Sequence, residues 1–203
     1  MFLTVFTPSY NRAYIIKCLY DSLLSQSCTD FEWLIVDDGS TDDTESLISS
    51  FIREQKIDIC YIKQVNGGKH RAINRGVSEA RGELFFIVDS DDALPLNAVE
   101  LLYRYYQKIR YDHTFAGISG TRINKRNERI GGTLKFDSVS ATSLEIRMKY
   151  RVKGDLAEAY KTSVLKAYPF PEYKNETFCP EALVWNRIAL IYKLLLFNQP
   201  VYI

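Results

Sequence analysis

Leu84-Phe85-Phe86-Ile87-Val88-Asp89-Ser90-Asp91-Asp92 passes from five consecutive apolar residues into three carboxylates within four positions. An apolar run of this length reads as a strand covered on both faces, as in a parallel sheet flanked by helices. Three like charges so close together repel one another unless a cation lies among them. A hard divalent ion, Mg²⁺ or Mn²⁺, suits such oxygen ligands, and a substrate phosphate would complete its shell. The plainer alternative is a solvated loop that caps the next helix. Position favours the ion, because open α/β sheets bind ligands beyond the carboxyl ends of their strands.

The same rhythm extends on both sides of this stretch. Strands are expected over 2–7, 32–37, 58–62 and 84–89, with helices over 13–27, 42–55 and 69–80 between them. Ile15, Ile16, Leu19, Leu23 and Leu24 recur at helical spacing. Ser40-Thr41-Asp42-Asp43 supplies an N-cap for the second helix, from Ser40 or Thr41, and Pro95 suits the first turn of a fourth. Alternation of this kind predicts an α/β fold, a mainly parallel Rossmann-like sheet with right-handed crossovers.

Past residue 112 the pattern changes. A strand is expected at 115–120, a hairpin-like excursion over 121–136 bending at Gly131-Gly132, a short strand at 157–160 and a strong helix over 180–196. No linker or repeat divides the chain. Residues 1–203 therefore read as one domain, with a smaller mixed half, 113–203, built onto the edge of 1–112.

Bulk properties exclude several classes. A formal charge of +1 lacks the basic excess of a nucleic-acid binder. Cys18, Cys28, Cys60 and Cys179 form no CxxC pair, so buried free thiols in a reducing cytoplasm are expected. The start of the chain shows no signal-peptide pattern. The most apolar stretch, 188–197, contains Lys193 and is about half as long as a membrane span. A soluble cytoplasmic protein is expected, peripheral at most to the inner face of a membrane. The basic stretches Arg122, Lys125, Arg126, Arg129 and Arg147, Lys149, Arg151, Lys153 read first as solvated faces, and second as contacts for a phosphorylated lipid or anionic surface.

The loops after the other strands are also unusually polar. Pro8-Ser9-Tyr10-Asn11-Arg12 has none of the glycines of a dinucleotide loop, but offers a ring to cover a base and a guanidinium to meet phosphate. In Asp37-Asp38-Gly39-Ser40 two acids exceed what a helix cap needs, and one can accept a hydrogen bond from a base N–H. Gly67-Gly68-Lys69-His70 with Asn74 allows close approach of a ligand and contact of Lys69 with phosphate. Glu181, after Pro180, is either an acid favoured by a helix dipole or a general base.

Together these residues resemble the family-two glycosyltransferases of the A-type nucleotide-diphospho-sugar transferase fold. The resemblance covers about 1–190 and rests on Thr7 to Arg12, Val36 to Asp42, Asn66-Gly67-Gly68 with Asn74, Asp89-Ser90-Asp91-Asp92 with Pro95, and Pro180-Glu181 with Trp185 and Arg187. It implies a bacterial, metal-dependent, inverting transferase that moves a sugar from a nucleoside-diphosphate sugar, a UDP-sugar above all, to a sugar or lipid-linked acceptor. Cell-surface polysaccharide or glycolipid synthesis is the implied setting.

The resemblance also implies roles. Pro8, Tyr10, Arg12, Asp38, Gly68, Lys69, Asn74, Asp89, Ser90 and Asp92 would bind the nucleotide sugar, with Asp38 on the base and Asp92 near the sugar. Asp91, with Asp89, would hold Mn²⁺ or Mg²⁺, Glu181 would be the general base, and Asp155 and Trp185 would face the acceptor. Residues 1–112 become the donor-binding half and 113–203 the acceptor half, with the natural domain continuing past Ile203. Pro180-Glu181 departs from the Glu-Asp common in the family, exchanging a shorter carboxylate for a longer one.

Three other readings remain at this point. A nucleotidyltransferase would show a Gly-rich basic loop after the first strand. A receiver-like signalling domain would carry its acids there too. A degenerate, binding-only relative is opposed by the intact acids.

Overall fold

The computed structural model describes residues 1–131 and 134–203. Its centre is an eight-stranded sheet ordered β3-β2-β1-β4-β7-β5-β8-β6. Strands β1 (Leu3–Ser9), β2 (Phe31–Asp37), β3 (Asp58–Lys63) and β4 (Leu84–Ile87) are parallel, so their carboxyl ends share one edge. Helices α1 (Lys17–Leu24), α2 (Thr44–Glu54) and α3 (Lys69–Glu79) connect them, and α4 (Ala98–Gln107) follows β4. This half matches the alternation expected from sequence.

Each parallel strand feeds both faces of the sheet, as period-two side chains must. Leu84, Phe86 and Val88 join Leu19, Leu23, Leu101 and Leu102 on the α1 and α4 face. Phe85, with Phe6, Leu34 and Val36, packs against Ala72, Ile73 and Val77 of α3 on the other. The continuous apolar run is thus explained by burial on both sides. Close packing here depends on Gly76, where a Cβ would lie 2.2 Å from the Phe6 ring.

The second half adds β5 (Phe115–Arg122), β6 (Ser138–Ala141), α5 (Ser143–Met148), β7 (Leu156–Lys161), α6 (Thr162–Ala167), α7 (Ala182–Ala189) and β8 (Lys193–Tyr202). β7 runs antiparallel between β4 and β5, and β8 lies parallel to β5 and antiparallel to β6. The sheet is therefore mixed.

Several expectations require correction. The helix expected over 180–196 stops at Ala189, and Leu194-Leu195-Leu196-Phe197 belongs to β8. Leu194 packs on the α3 and α7 face, Leu195 and Phe197 on the opposite one. A short apolar run buried on both faces carries no period to separate strand from helix.

The reversal of the excursion lies at Asn124 to Asn127, where Ile123 bridges Arg129 and Asn127 takes the left-handed φ of +60°. Asn tolerates that conformation. Of the expected bend, Gly131 lies beyond this turn and Gly132 falls outside the described residues.

Neither Ser40 nor Thr41 caps α2. Ser40 Oγ accepts from the Asn11 N–H at 2.8 Å, while Asp42 Oδ1 accepts from the Thr44 N–H at 3.1 Å. The cysteines are free as expected but not buried: Cys18 is exposed and the other three are half-buried.

Candidate active site

The loops beyond β1, β2 and β4 and the start of α3 enclose a cleft of about 370 Å³. Pro8, Ser9, Tyr10 and Arg12 come from the first loop, Asp38 from the second, Lys69 and Ala72 from α3, and Asp89, Ser90 and Asp91 from the last. The first two loops are stapled together. The Asn11 side-chain oxygen accepts from the Thr41 and Asp42 N–H groups at 2.8 and 3.3 Å, and Asn11 itself adopts φ +53°. Tyr10, half exposed, presents its ring to the cleft. The Arg12 guanidinium donates to the Tyr14 hydroxyl at 2.8 Å.

Asp37 and Asp38 do different jobs. Asp37, fully buried, accepts from the Ser40 N–H at 2.7 Å and closes the turn. Asp38 Oδ1 accepts from Gln64 Nε2 at 2.7 Å and the Gly67 N–H at 3.0 Å, and its Oδ2 from the Gly68 N–H at 2.7 Å. A carboxylate has about four acceptor positions, so three protein bonds leave room for about one more. Asp38 therefore fixes the glycine turn with one acceptor position to spare among the described residues. Gly68 is required there: its φ is +97°, and a Cβ would lie 1.9 Å from the Thr177 carbonyl oxygen.

Lys69 opens α3, and its ammonium lies 2.8 Å from both Asp89 Oδ1 and Glu181 Oε1. Burial pulls the Lys69 pKa down, but the two carboxylates outweigh it and hold the amine above its ordinary value. Glu181 immediately precedes α7, where its charge meets the positive helix end. A second, small cavity of about 50 Å³ lies behind this ion pair, reaching Glu158, Tyr160, Trp185, Arg122 and Tyr202.

The acidic loop is held from β8. The Tyr202 hydroxyl donates to Asp92 Oδ2 at 2.7 Å and accepts from the Asp89 N–H at 3.0 Å. The Arg122 guanidinium stands 3.9 Å above the same ring. Asp92 thus turns toward β8 and does not line the main cleft, where the resemblance had placed it near the sugar. Burial, then the charges of Asp91 and Asp89, push its pKa up against the Tyr202 hydrogen bond and Arg122.

Asp89 and Asp91 fit a divalent ion as partial ligands. Both line the cleft, and Asp91 makes no hydrogen bond to another described residue. Among the described residues no group of three His, Cys, Asp or Glu forms a protein-only cage. Mg²⁺ is commonly held by one or two carboxylates, with phosphates and water completing the shell.

Asn74 stands apart from its expected place. Its amide donates to the Phe170 carbonyl at 2.9 Å and to Glu172 Oε1 at 2.7 Å, and its oxygen accepts from the Phe170 N–H at 2.9 Å. It ties α3 to the 170–172 loop and does not line the cleft. Asp155 is exposed and lines none of the cavities described. Trp185 does reach the chamber around Glu181, stacked on Tyr160 at 4.7 Å.

Sequence reasoning missed Ser9, whose buried hydroxyl has no partner among the described residues, and Ala72 in the cleft. It also missed Glu158, Tyr160 and Tyr202 around the inner cavity, where Arg122, read from sequence as part of a basic face, lies as well. Ser9 stood within a quoted loop and could have been found. The others depend on the placement of β5, β7 and β8.

The family model described as Glycosyl transferase family 2 matches residues 4–166. Glycosyltransferase GlyG of Streptococcus pneumoniae is 35% identical over 107 residues, 52% of this chain and 35% of that protein. Chondroitin synthase of Escherichia coli is 37% identical over 182 residues, 84% of this chain and 26% of the synthase. The chain thus spans about a third or less of these two curated relatives. The crystal structure of S. aureus TarS 1-349 in complex with UDP-GlcNAc superposes with a TM-score of 0.76 at 25% identity, covering 100% of this chain and 58% of that one.

Proposed function

Because the chain belongs to glycosyl transferase family 2, we propose that it moves a sugar from a nucleoside-diphosphate sugar to an acceptor hydroxyl, with inversion at the anomeric carbon. A UDP-sugar is the favoured donor, supported by the likeness to TarS, whose structure holds UDP-GlcNAc. A bacterial cell-surface polysaccharide or glycolipid is the proposed product, supported by the likeness to chondroitin synthase. No described helix is long and apolar enough to cross a membrane. The proposed setting is the cytoplasm, with peripheral contact at the inner face of the membrane.

The observation that carries this reading is the bridge of Lys69 to Asp89 and Glu181, 2.8 Å to each. It brings the phosphate-side acids of 1–112 to the carboxylate that serves as base in 113–203. Tyr10 and Pro8 would cover the base, whose N–H would donate to the remaining acceptor position of Asp38. Arg12 and Lys69 would meet the diphosphate. Asp89 and Asp91 would hold Mg²⁺ or Mn²⁺, which when bound supplies a Lewis acid for the departing diphosphate.

The displacement is a single in-line exchange. The acceptor oxygen bonds to the anomeric carbon as the bond to the diphosphate oxygen breaks on the opposite side. The diphosphate leaves with the electron pair, and Glu181 takes the hydroxyl proton. For Glu181 to do so, the Lys69 ammonium must shift toward the diphosphate, which links donor arrival to release of the base.

Thermal stability in UDP, GDP and their sugars, with Mn²⁺, Mg²⁺ or chelator, tests the reading. A bound ligand at one hundred times its Kd adds about 2.7 kcal/mol. UDP with either ion should raise the melting temperature. Failure of every nucleotide to do so in either ion would sink the proposal.

A further inference from the structure

Glu158 lies in the middle of β7, with β4 on one side of that strand and β5 on the other, opposite Ser119. Strand alternation puts Leu156, Glu158 and Tyr160 on one face of the sheet, and Tyr160 packs with the residues of α3, α6 and α7. A carboxylate in the interior of a sheet is costly unless it is paired. Glu158 makes no side-chain hydrogen bond or ion pair with any described residue. Burial pushes its pKa up, and Arg122 and Arg147 only partly oppose this.

Both of those guanidiniums are engaged elsewhere. Arg122 Nε donates to the Leu156 carbonyl at 2.9 Å and its plane covers the Tyr202 ring. Arg147 Nη1 donates to the carbonyls of Val152 at 3.1 Å and Gly154 at 2.5 Å. Glu158 is thus a half-buried acid with no partner among the described residues.

What Glu158 does face is space. It lines the inner cavity beside Glu181, and also a groove of about 280 Å³ between α5 and α7. Trp185 and Tyr160 line both spaces, and Ser143, Arg147 and Asn186 add polar groups to the groove. Ala182, next to Glu181, forms part of its wall. An aromatic plate, an amide and an unpaired carboxylate suit a ring that is apolar on its faces and carries hydroxyl donors at its edge. The inner cavity, at about 50 Å³, is too small for such a ring, whereas the groove is near the lower end of small-molecule sites, roughly 300 Å³.

We propose that the α5–α7 groove holds the acceptor sugar, with the Glu158 carboxylate accepting hydrogen bonds from its hydroxyls and so presenting the reacting hydroxyl to Glu181. The proposal rests on the glycosyl-transfer reading above. It fixes a chemical class: the terminal acceptor unit is a neutral sugar, because its hydroxyls can donate to the Glu158 carboxylate, whereas a uronate or phosphate oxygen placed there has no proton to donate. Glu158 here selects and positions the acceptor, and Glu181 remains the base.

The test uses the methyl β-glycosides of glucose, galactose, N-acetylglucosamine and N-acetylgalactosamine, with methyl β-glucuronide as the charged control. Binding is read by saturation-transfer NMR and tryptophan fluorescence, and UDP binding is measured in parallel by calorimetry. At least one neutral glycoside should bind the unaltered chain, the glucuronide should not, and Glu158→Gln should weaken the neutral one by roughly tenfold. UDP affinity should stay the same in Glu158→Gln and Glu158→Leu.

The proposal is overturned if no neutral glycoside binds, if the glucuronide binds equally well, or if Glu158→Leu binds glycoside undiminished. A purely structural acid would give that last result, together with a raised melting temperature. Loss of UDP binding in the unaltered chain would instead overturn the donor reading, and the glycoside result would still decide the groove.

Discussion

Lys69 and Glu181, from opposite halves of the chain, form an ion pair at 2.8 Å, and the same ammonium reaches Asp89 at 2.8 Å. The amine occupies the place between two carboxylates where a cation is needed. All three side chains keep more than a third of their surface exposed. Solvent screening therefore limits what the bridge adds to stability, and its main consequence is positional.

Lys69→Met should lower stability by no more than about 1 kcal/mol, given that exposure. The pH dependence is more telling. The folded pKa of Lys69 is raised above its ordinary 10.5 by Asp89 and Glu181, which outweigh burial. A raised lysine stabilises fully below the unfolded pKa, and that contribution disappears as pH rises through the folded value. Urea unfolding should show a gap between the two proteins that is constant from about pH 6 to 10 and closes above it. A gap that widens with pH would contradict the assignment.

Asn74→Ala should destabilise the chain while leaving UDP affinity within about twofold. The amide makes three hydrogen bonds to the 170–172 loop and none toward the cleft. Partly buried bonds of this kind contribute about 0.5–1.5 kcal/mol each. Calorimetry showing a large loss of UDP affinity at unchanged stability would return Asn74 to the ligand.

Tyr202→Phe removes one hydroxyl that serves two residues of the acidic loop, Asp89 and Asp92. Losing both bonds should cost about 1–3 kcal/mol in denaturant unfolding. Because Asp89 is held through its backbone, Mn²⁺-dependent UDP binding should weaken as well. Unchanged binding in a destabilised Tyr202→Phe would show that the loop keeps its shape without β8.

Much of this arrangement was legible in the sequence, and the reasons for the rest are physical. The parallel half was readable because each strand there is local in sequence and followed by a helix with its own period. The loops around the cleft were readable because polar residues directly after apolar runs mark the carboxyl edge. Leu194 to Phe197 misled because burial on two faces erases periodicity. The tie made by Asn74 was not legible, because its hydrogen bonds reach a loop far along the chain. Glu158 gave no signal, since one acid in a short strand is conspicuous only once β4 and β5 are known to lie on either side of it. Tyr202 likewise gains its role from the insertion of β8 beside β5.

The most direct test is donor turnover by Glu181→Gln in parallel with donor binding. UDP release from UDP-GlcNAc in the presence of Mn²⁺, with and without added acceptor, is followed for the unaltered chain and the variant. A general base contributes about 10²- to 10⁴-fold, so turnover should fall by that factor while UDP affinity by calorimetry is retained. Turnover that survives Glu181→Gln at a comparable rate would contradict the account.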